Sequence, residues 1–88
     1  MLIRLFYSNS CPYCPPTRRI VASLAKEFSG KVGVEEVDIY SAEGEEEAER
    51  FEVEMVPTVI FEDGTRFDGP ASEEQIRQAI LRATAQSR

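Results

Sequence analysis

The chain has 88 residues, of which 42% are hydrophobic and 30% charged, with 16 acids, 10 bases and no histidine for a net charge of −6. That is enough apolar material for one modest core, so a single domain spanning residues 1–88 is expected. The acidic balance excludes nucleic acid as the main partner, and the lack of histidine excludes histidine triads and histidine metal sites.

No apolar run approaches the ~20 residues of a membrane span. The start, Met1-Leu2-Ile3-Arg4-Leu5, lacks the basic region and cleavage site of a signal peptide, so a soluble cytoplasmic domain is expected. Leu2-Ile3-Arg4-Leu5-Phe6-Tyr7 suits a buried strand and stops at the loop signal Ser8-Asn9-Ser10. Ile20, Val21, Leu24 and Phe28 then recur at helical spacing, with a stop at Ser29-Gly30. Residues 32–39 read as a second strand, weakened by Gly33. Residues 42–52 read as a second helix with Ala48 and Phe51 on a thin apolar face.

A third strand is predicted over Val56-Pro57-Thr58-Val59-Ile60-Phe61. Asp63-Gly64 is a hairpin turn into a short fourth strand, Thr65-Arg66-Phe67. Ser72-Glu73-Glu74-Gln75 is a capping box that opens a last helix with Ile76, Ala79, Ile80 and Ala83 on one face. The order is βαβαββα. A strand–helix–strand start implies a parallel pair with a right-handed crossover, to which the hairpin adds an antiparallel pair. The expected architecture is an α/β four-stranded mixed sheet with three helices on both faces.

Cys11 and Cys14 are the only cysteines. A bridge between them closes a tiny loop and removes little entropy from the unfolded chain, so stability is a poor reason for the pair. A closed zinc site takes four ligands, which only two chains together could supply as thiolates. Redox chemistry is the economical reading. At a helix start, spacing of i, i+3 brings both side chains to one face, and unpaired N–H groups favour thiolate, the attacking species in thiol–disulfide exchange. Cys11, earlier and at the loop tip, is assigned as nucleophile, and Cys14, one turn in, as the resolving thiol. The prolines leave two starts open. Either the first turn from Pro12 is irregular, or the regular helix begins near Pro15 with Cys14 close to its cap and Cys11 a turn outside. Arg18 either adds positive charge near the pair or is a solvated surface arginine. Met55 and Phe6 read as packing residues.

A strand, then Cys11-Pro12-Tyr13-Cys14, then a helix resembles the glutaredoxins and their relatives in the thioredoxin superfamily, over nearly the whole chain. The resemblance implies a thioredoxin fold. It also implies that Pro57 is cis beside the cysteines, that Val56 pairs with substrate backbone, and that Gly69 takes a backbone role near the site. Tyr13 matches the active-site tyrosine of glutaredoxins. Met55-Val56-Pro57 replaces their usual Thr-Val-Pro, and Asp68-Gly69-Pro70 breaks their Gly-Gly glutathione pattern. Pro57-Thr58 with a single later glycine looks more like thioredoxin. Thioredoxins, however, carry Gly-Pro between the cysteines, a tryptophan before them and a buried aspartate where this chain has Leu5.

The chain thus resembles small hybrid proteins with a glutaredoxin-like motif and thioredoxin-like activity. The activity implied is a dithiol–disulfide oxidoreductase acting on protein disulfides as a monomer with no bound cofactor. Its electrons are expected from an NADPH-dependent, thioredoxin reductase-type flavoenzyme, or from glutathione as in a glutaredoxin. The alternative is a dimeric module holding a metal or iron–sulfur cluster through Cys11. The acidic run from Glu43 to Glu54 reads as a solvated helix face, with docking of a partner as the rival reading.

Overall fold

The computed structural model describes residues 1–85. Its elements are β1 (Leu2–Tyr7), α1 (Cys14–Glu27), β2 (Gly33–Asp38), α2 (Ala42–Arg50), β3 (Thr58–Phe61), β4 (Arg66–Asp68) and α3 (Glu73–Ala85). The sheet order is β2-β1-β3-β4. β1 runs parallel to β2 with Leu2 opposite Gly33, and antiparallel to β3 with Phe6 opposite Thr58. β3 and β4 form the antiparallel hairpin, with Val59 opposite Phe67. This is the four-stranded mixed sheet that the element order predicts, and the thioredoxin-type α/β fold that the resemblance implies.

Alternation along the central strands divides the apolar residues between two layers. Ile3, Leu5, Val59 and Phe61 point to the side covered by α1 and α3, where they meet Val21, Leu24, Ile76, Ala79, Ile80 and Ala83. Phe6, Val37 and Ile60 point to the other side, against Ala48, Phe51, Val53 and Val56. Each fully buried Ile, Leu or Phe in the larger layer contributes ~1.5–3 kcal/mol of transfer free energy. No helix among the described residues is long and apolar enough to cross a membrane.

The predicted punctuation has physical counterparts. Ser72 and Gln75 exchange hydrogen bonds, Oγ accepting from the Gln75 amide at 3.1 Å and Oε1 accepting from the Ser72 amide at 2.9 Å. At the Asp63-Gly64 turn, Gly64 adopts φ +96° and its amide donates to the Phe61 carbonyl at 3.0 Å.

The boundaries differ from the sequence reading where proline or backbone sign intervenes. β3 starts at Thr58 rather than Val56, because Pro57 has no N–H for the ladder. α2 ends at Arg50 rather than residue 52, with Phe51 as its cap and Glu52 at φ +53°. Gly44, in the first turn of α2, is a close approach that periodicity does not reveal. A Cβ there would stand 1.7 Å from the Asp38 carbonyl oxygen, so only glycine lets α2 start against the end of β2. Ser41 caps that start, its Oγ accepting from the Gly44 amide at 2.9 Å.

Candidate active site

Cys14, Thr17, Val21 and Leu24 form the buried stripe of α1, at intervals of three and four residues. Cys14 is the first residue of that stripe and of the regular helix, and is 1% exposed. Cys11 lies outside the helix in a turn closed by the Cys14 amide on the Cys11 carbonyl at 3.4 Å, and is partly exposed. Of the two starts left open by the prolines, the later one is found. Pro15 and Pro16 fall in the first turn, where their missing N–H groups leave no helical hydrogen bond unmade.

This geometry sets the two thiols apart. The Cys11 pKa is lowered, first by a hydrogen bond from the Cys14 side chain; burial, next in size, opposes this, and the Tyr13 and Cys14 amides lower it further. Burial, followed by the hydrogen bond to Cys11, pushes the Cys14 pKa up to about 11. With Pro15 and Pro16 lacking donors, the amides of Tyr13 and Cys14 are the helix-start groups left to face the Cys11 sulfur.

The wall opposite the cysteines is the connection between α2 and β3. The Val56–Pro57 peptide is cis, Pro57 is fully buried, and the Cys11 thiol donates to the Val56 carbonyl at an S···O distance of 3.6 Å. Two contacts brace this loop. The Thr58 hydroxyl donates to the Met55 carbonyl at 2.6 Å, and the Gly69 amide donates to the Pro57 carbonyl at 2.8 Å. Gly69 has φ +93°, a conformation that favours glycine. A Cβ there would lie 3.4 Å from the Met55 sulfur.

Cys11, Cys14, Val56, Pro57 and Gly69 therefore converge through β1, α1 and the β3–β4 side of the sheet. Pro12 and Tyr13 are at the surface, Tyr13 with 62% of its area exposed. Met55, read from sequence as packing, is 52% exposed beside the loop, whereas Phe6 is buried and faces the Phe51 ring with centroids 6.0 Å apart. Arg18 is neither a free surface cation nor a contact of Cys11. Its guanidinium makes two hydrogen bonds to Glu36, at 2.9 and 3.0 Å, and lies over the Tyr7 ring at 4.4 Å. Its charge still acts on Cys14, lowering that pKa slightly against the larger effects of burial and Cys11.

Sequence reasoning missed two supports. Thr58 is wholly buried, and its hydroxyl holds the loop in place. Ser8 is buried, its carbonyl accepts from the Cys11 amide at 3.2 Å, and its own amide faces the Cys14 sulfur. The short polar run Ser8-Asn9-Ser10 between the end of β1 and Cys11 was the available signal for Ser8. The residue after a strand-opening proline was the signal for Thr58. Among the described residues no group of three or more histidines, cysteines or acids is placed to hold a metal ion. The pair's closeness and asymmetry support dithiol redox chemistry.

Comparison with known proteins agrees. The family profile described as thioredoxin domain matches residues 1–81. The probable thioredoxin of Methanothermobacter thermautotrophicus is 36% identical over 78 residues, covering 89% of this chain and 89% of that protein. The thioredoxin of Methanocaldococcus jannaschii is 32% identical over 78 residues, again covering 89% of each. Among solved structures, thioredoxin 1 of Thermosipho africanus superposes with a TM-score of 0.82 at 25% identity, covering 99% of this chain and 98% of that one.

Proposed function

This chain belongs to the thioredoxin family, and from that premise we propose that it is a dithiol–disulfide oxidoreductase that reduces disulfides in other proteins. The observation that carries this reading is the asymmetry of the pair: a partly exposed Cys11 with a lowered pKa, hydrogen-bonded by a buried Cys14 with a raised one. The Cys11 thiolate attacks one sulfur of the substrate disulfide, and the other sulfur leaves and takes a proton. Cys14 then gives up its proton and attacks the Cys11 sulfur, releasing the second substrate thiol. Two electrons pass to the substrate, and the Cys11–Cys14 disulfide remains.

The remaining residues take supporting roles. Pro12 spaces the two cysteines, and the exposed Tyr13 ring flanks the approach to Cys11. Val56 offers backbone groups to an extended substrate segment, while Pro57 and Gly69 hold that segment of loop at the height of the Cys11 sulfur. The chain works as one domain, a monomer in the cytoplasm, with no resident cofactor.

Electrons come from an NADPH-dependent flavoenzyme of the thioredoxin reductase type. The break in the glutathione pattern at Asp68-Gly69-Pro70 and the kinship with thioredoxins support that donor over glutathione. The test is reduction of a protein disulfide with two electron supplies side by side: NADPH with thioredoxin reductase, and NADPH with glutathione reductase and glutathione. Turnover with the first alone is expected. Turnover with glutathione alone overturns the choice of donor, and inactivity of the reduced protein itself toward any disulfide overturns the function.

A further inference from the structure

The segment that carries Val56 has an unusual beginning. α2 closes with the Glu52 amide donating to the Glu49 carbonyl at 3.1 Å and the Val53 amide to the Ala48 carbonyl at 2.8 Å. That is the pattern of a helix ending on a left-handed residue, the place where glycine is usual. Here it is Glu52, at φ +53°. The Phe51 and Glu52 carbonyls lie at the negative end of α2 and have no helical donor.

Arg66 supplies one from β4. Its Nη1 donates to the Phe51 carbonyl at 2.8 Å, and its Nη2 reaches the Glu52 carbonyl at 3.5 Å. Asp68, two residues on along the same strand, accepts from Nε at 3.3 Å and from Nη2 at 2.8 Å, which fixes the plane of the guanidinium. One residue further, the Gly69 amide holds the Pro57 carbonyl. Residues 66–69 therefore grip both ends of the 51–57 connection, and Val56 lies between the two grips with its carbonyl on Cys11.

We propose that Arg66 is a positioning residue of the active site, setting through Phe51 and Glu52 the place where Val56 meets both Cys11 and the substrate backbone. The proposal rests on the reading of Cys11 as attacking sulfur and Val56 as substrate contact. Arg66 touches neither sulfur nor substrate. Its effect falls on substrate capture, because the loop it steadies supplies binding groups rather than the nucleophile. Lysine cannot replace it, since a single ammonium cannot serve two carbonyls and a carboxylate in one plane.

The test is a single-turnover reaction of the fully reduced protein with a fluorogenic peptide disulfide over a range of concentrations. No reductase is needed. For Arg66→Met the half-saturating concentration is expected to rise about tenfold, corresponding to loss of a well-placed backbone contact, with the maximal rate within about twofold of wild type. Asp68→Asn should move the half-saturating concentration the same way by less, and it decides the matter if Arg66→Met does not fold. Thermal midpoints are recorded alongside. A lowered midpoint with unchanged half-saturation in the folded variants makes Arg66 purely structural and overturns the proposal. Failure of the wild-type protein to reduce the peptide overturns the underlying function instead, whatever the variants do.

Discussion

The side chain of Cys14 hydrogen-bonds the sulfur of Cys11 and holds its pKa below the ordinary thiol value of 9.0, while burial first, and then the same hydrogen bond, pushes Cys14 up to about 11. On the proposed mechanism, Cys11 is the attacking sulfur and Cys14 stays protonated until a mixed disulfide has formed. The contact exists because α1 starts at Cys14, so the buried stripe of the helix claims the second cysteine and leaves the first in the turn before it.

The division of labour predicts different fates for the two serine variants. Cys11→Ser should lower disulfide reduction by roughly 100-fold or more, because it removes the only thiolate that substrate can reach. Cys14→Ser should still attack but not resolve, leaving a covalent adduct of one variant chain per substrate. Mass spectrometry under non-reducing conditions reads both. Full activity of Cys11→Ser in the coupled assay is the result that sinks the mechanism.

The pH dependence of alkylation follows from the same contact. Iodoacetamide reacts with thiolate, so the rate at Cys11 should rise with pH and reach half its maximum below pH 9.0. Cys14→Ala removes the largest cause of the lowered value, and the midpoint should move up toward that of an ordinary thiol. An unchanged midpoint would assign the effect to the Tyr13 and Cys14 amides instead.

Stability should carry the opposite signature of Cys14. Its folded-state pKa is raised to about 11. Its contribution is therefore complete below the ordinary thiol value of 9.0 and is lost as pH climbs through about 11. Cys11, depressed in the folded state, contributes fully above its unfolded value and is constant across that window. The reduced wild-type protein should thus lose more stability than Cys14→Ala between pH 9 and 11, as followed by denaturant midpoints at each pH. Equal losses would refute the assignment.

Two backbone positions make a paired test. Gly44→Ala sets a Cβ 1.7 Å from the Asp38 carbonyl, a contact that only movement of α2 away from β2 can relieve. A loss of ~2 kcal/mol or more is expected by urea unfolding. Glu52→Gly relieves a left-handed conformation at φ +53° and should stabilise by ~0.5–1 kcal/mol without changing the dependence on urea. A destabilised Glu52→Gly would show that the Glu52 side chain matters more than its backbone.

Local grammar was enough for much of this protein. The stripe from Val21 to Leu24, the Ser72–Gln75 capping box, the Asp63-Gly64 turn and the apolar face of α3 each rest on residues within about one turn of one another, so periodicity and capping chemistry specify them. The Cys11-Pro12-Tyr13-Cys14 run likewise announces paired thiols. Two positions for the helix start remained open because Pro12 suits a first helical position while Pro15 and Pro16 lack donors that a helix begun there would need, and packing of Cys14 into the core goes with the later start.

The remainder depended on partners distant in sequence. Arg66 meets the Phe51 carbonyl 15 residues earlier, Arg18 meets Glu36 18 residues later, and Cys11 meets the Val56 carbonyl 45 residues later. Gly44 is required only because β2 ends against the start of α2. Residue type and spacing by themselves identified a dithiol pair on an α/β scaffold. Tertiary packing decided which carbonyls, amides and charges face it, because hydrogen-bond donors and acceptors are shared among all residues and only the folded chain determines which of them meet.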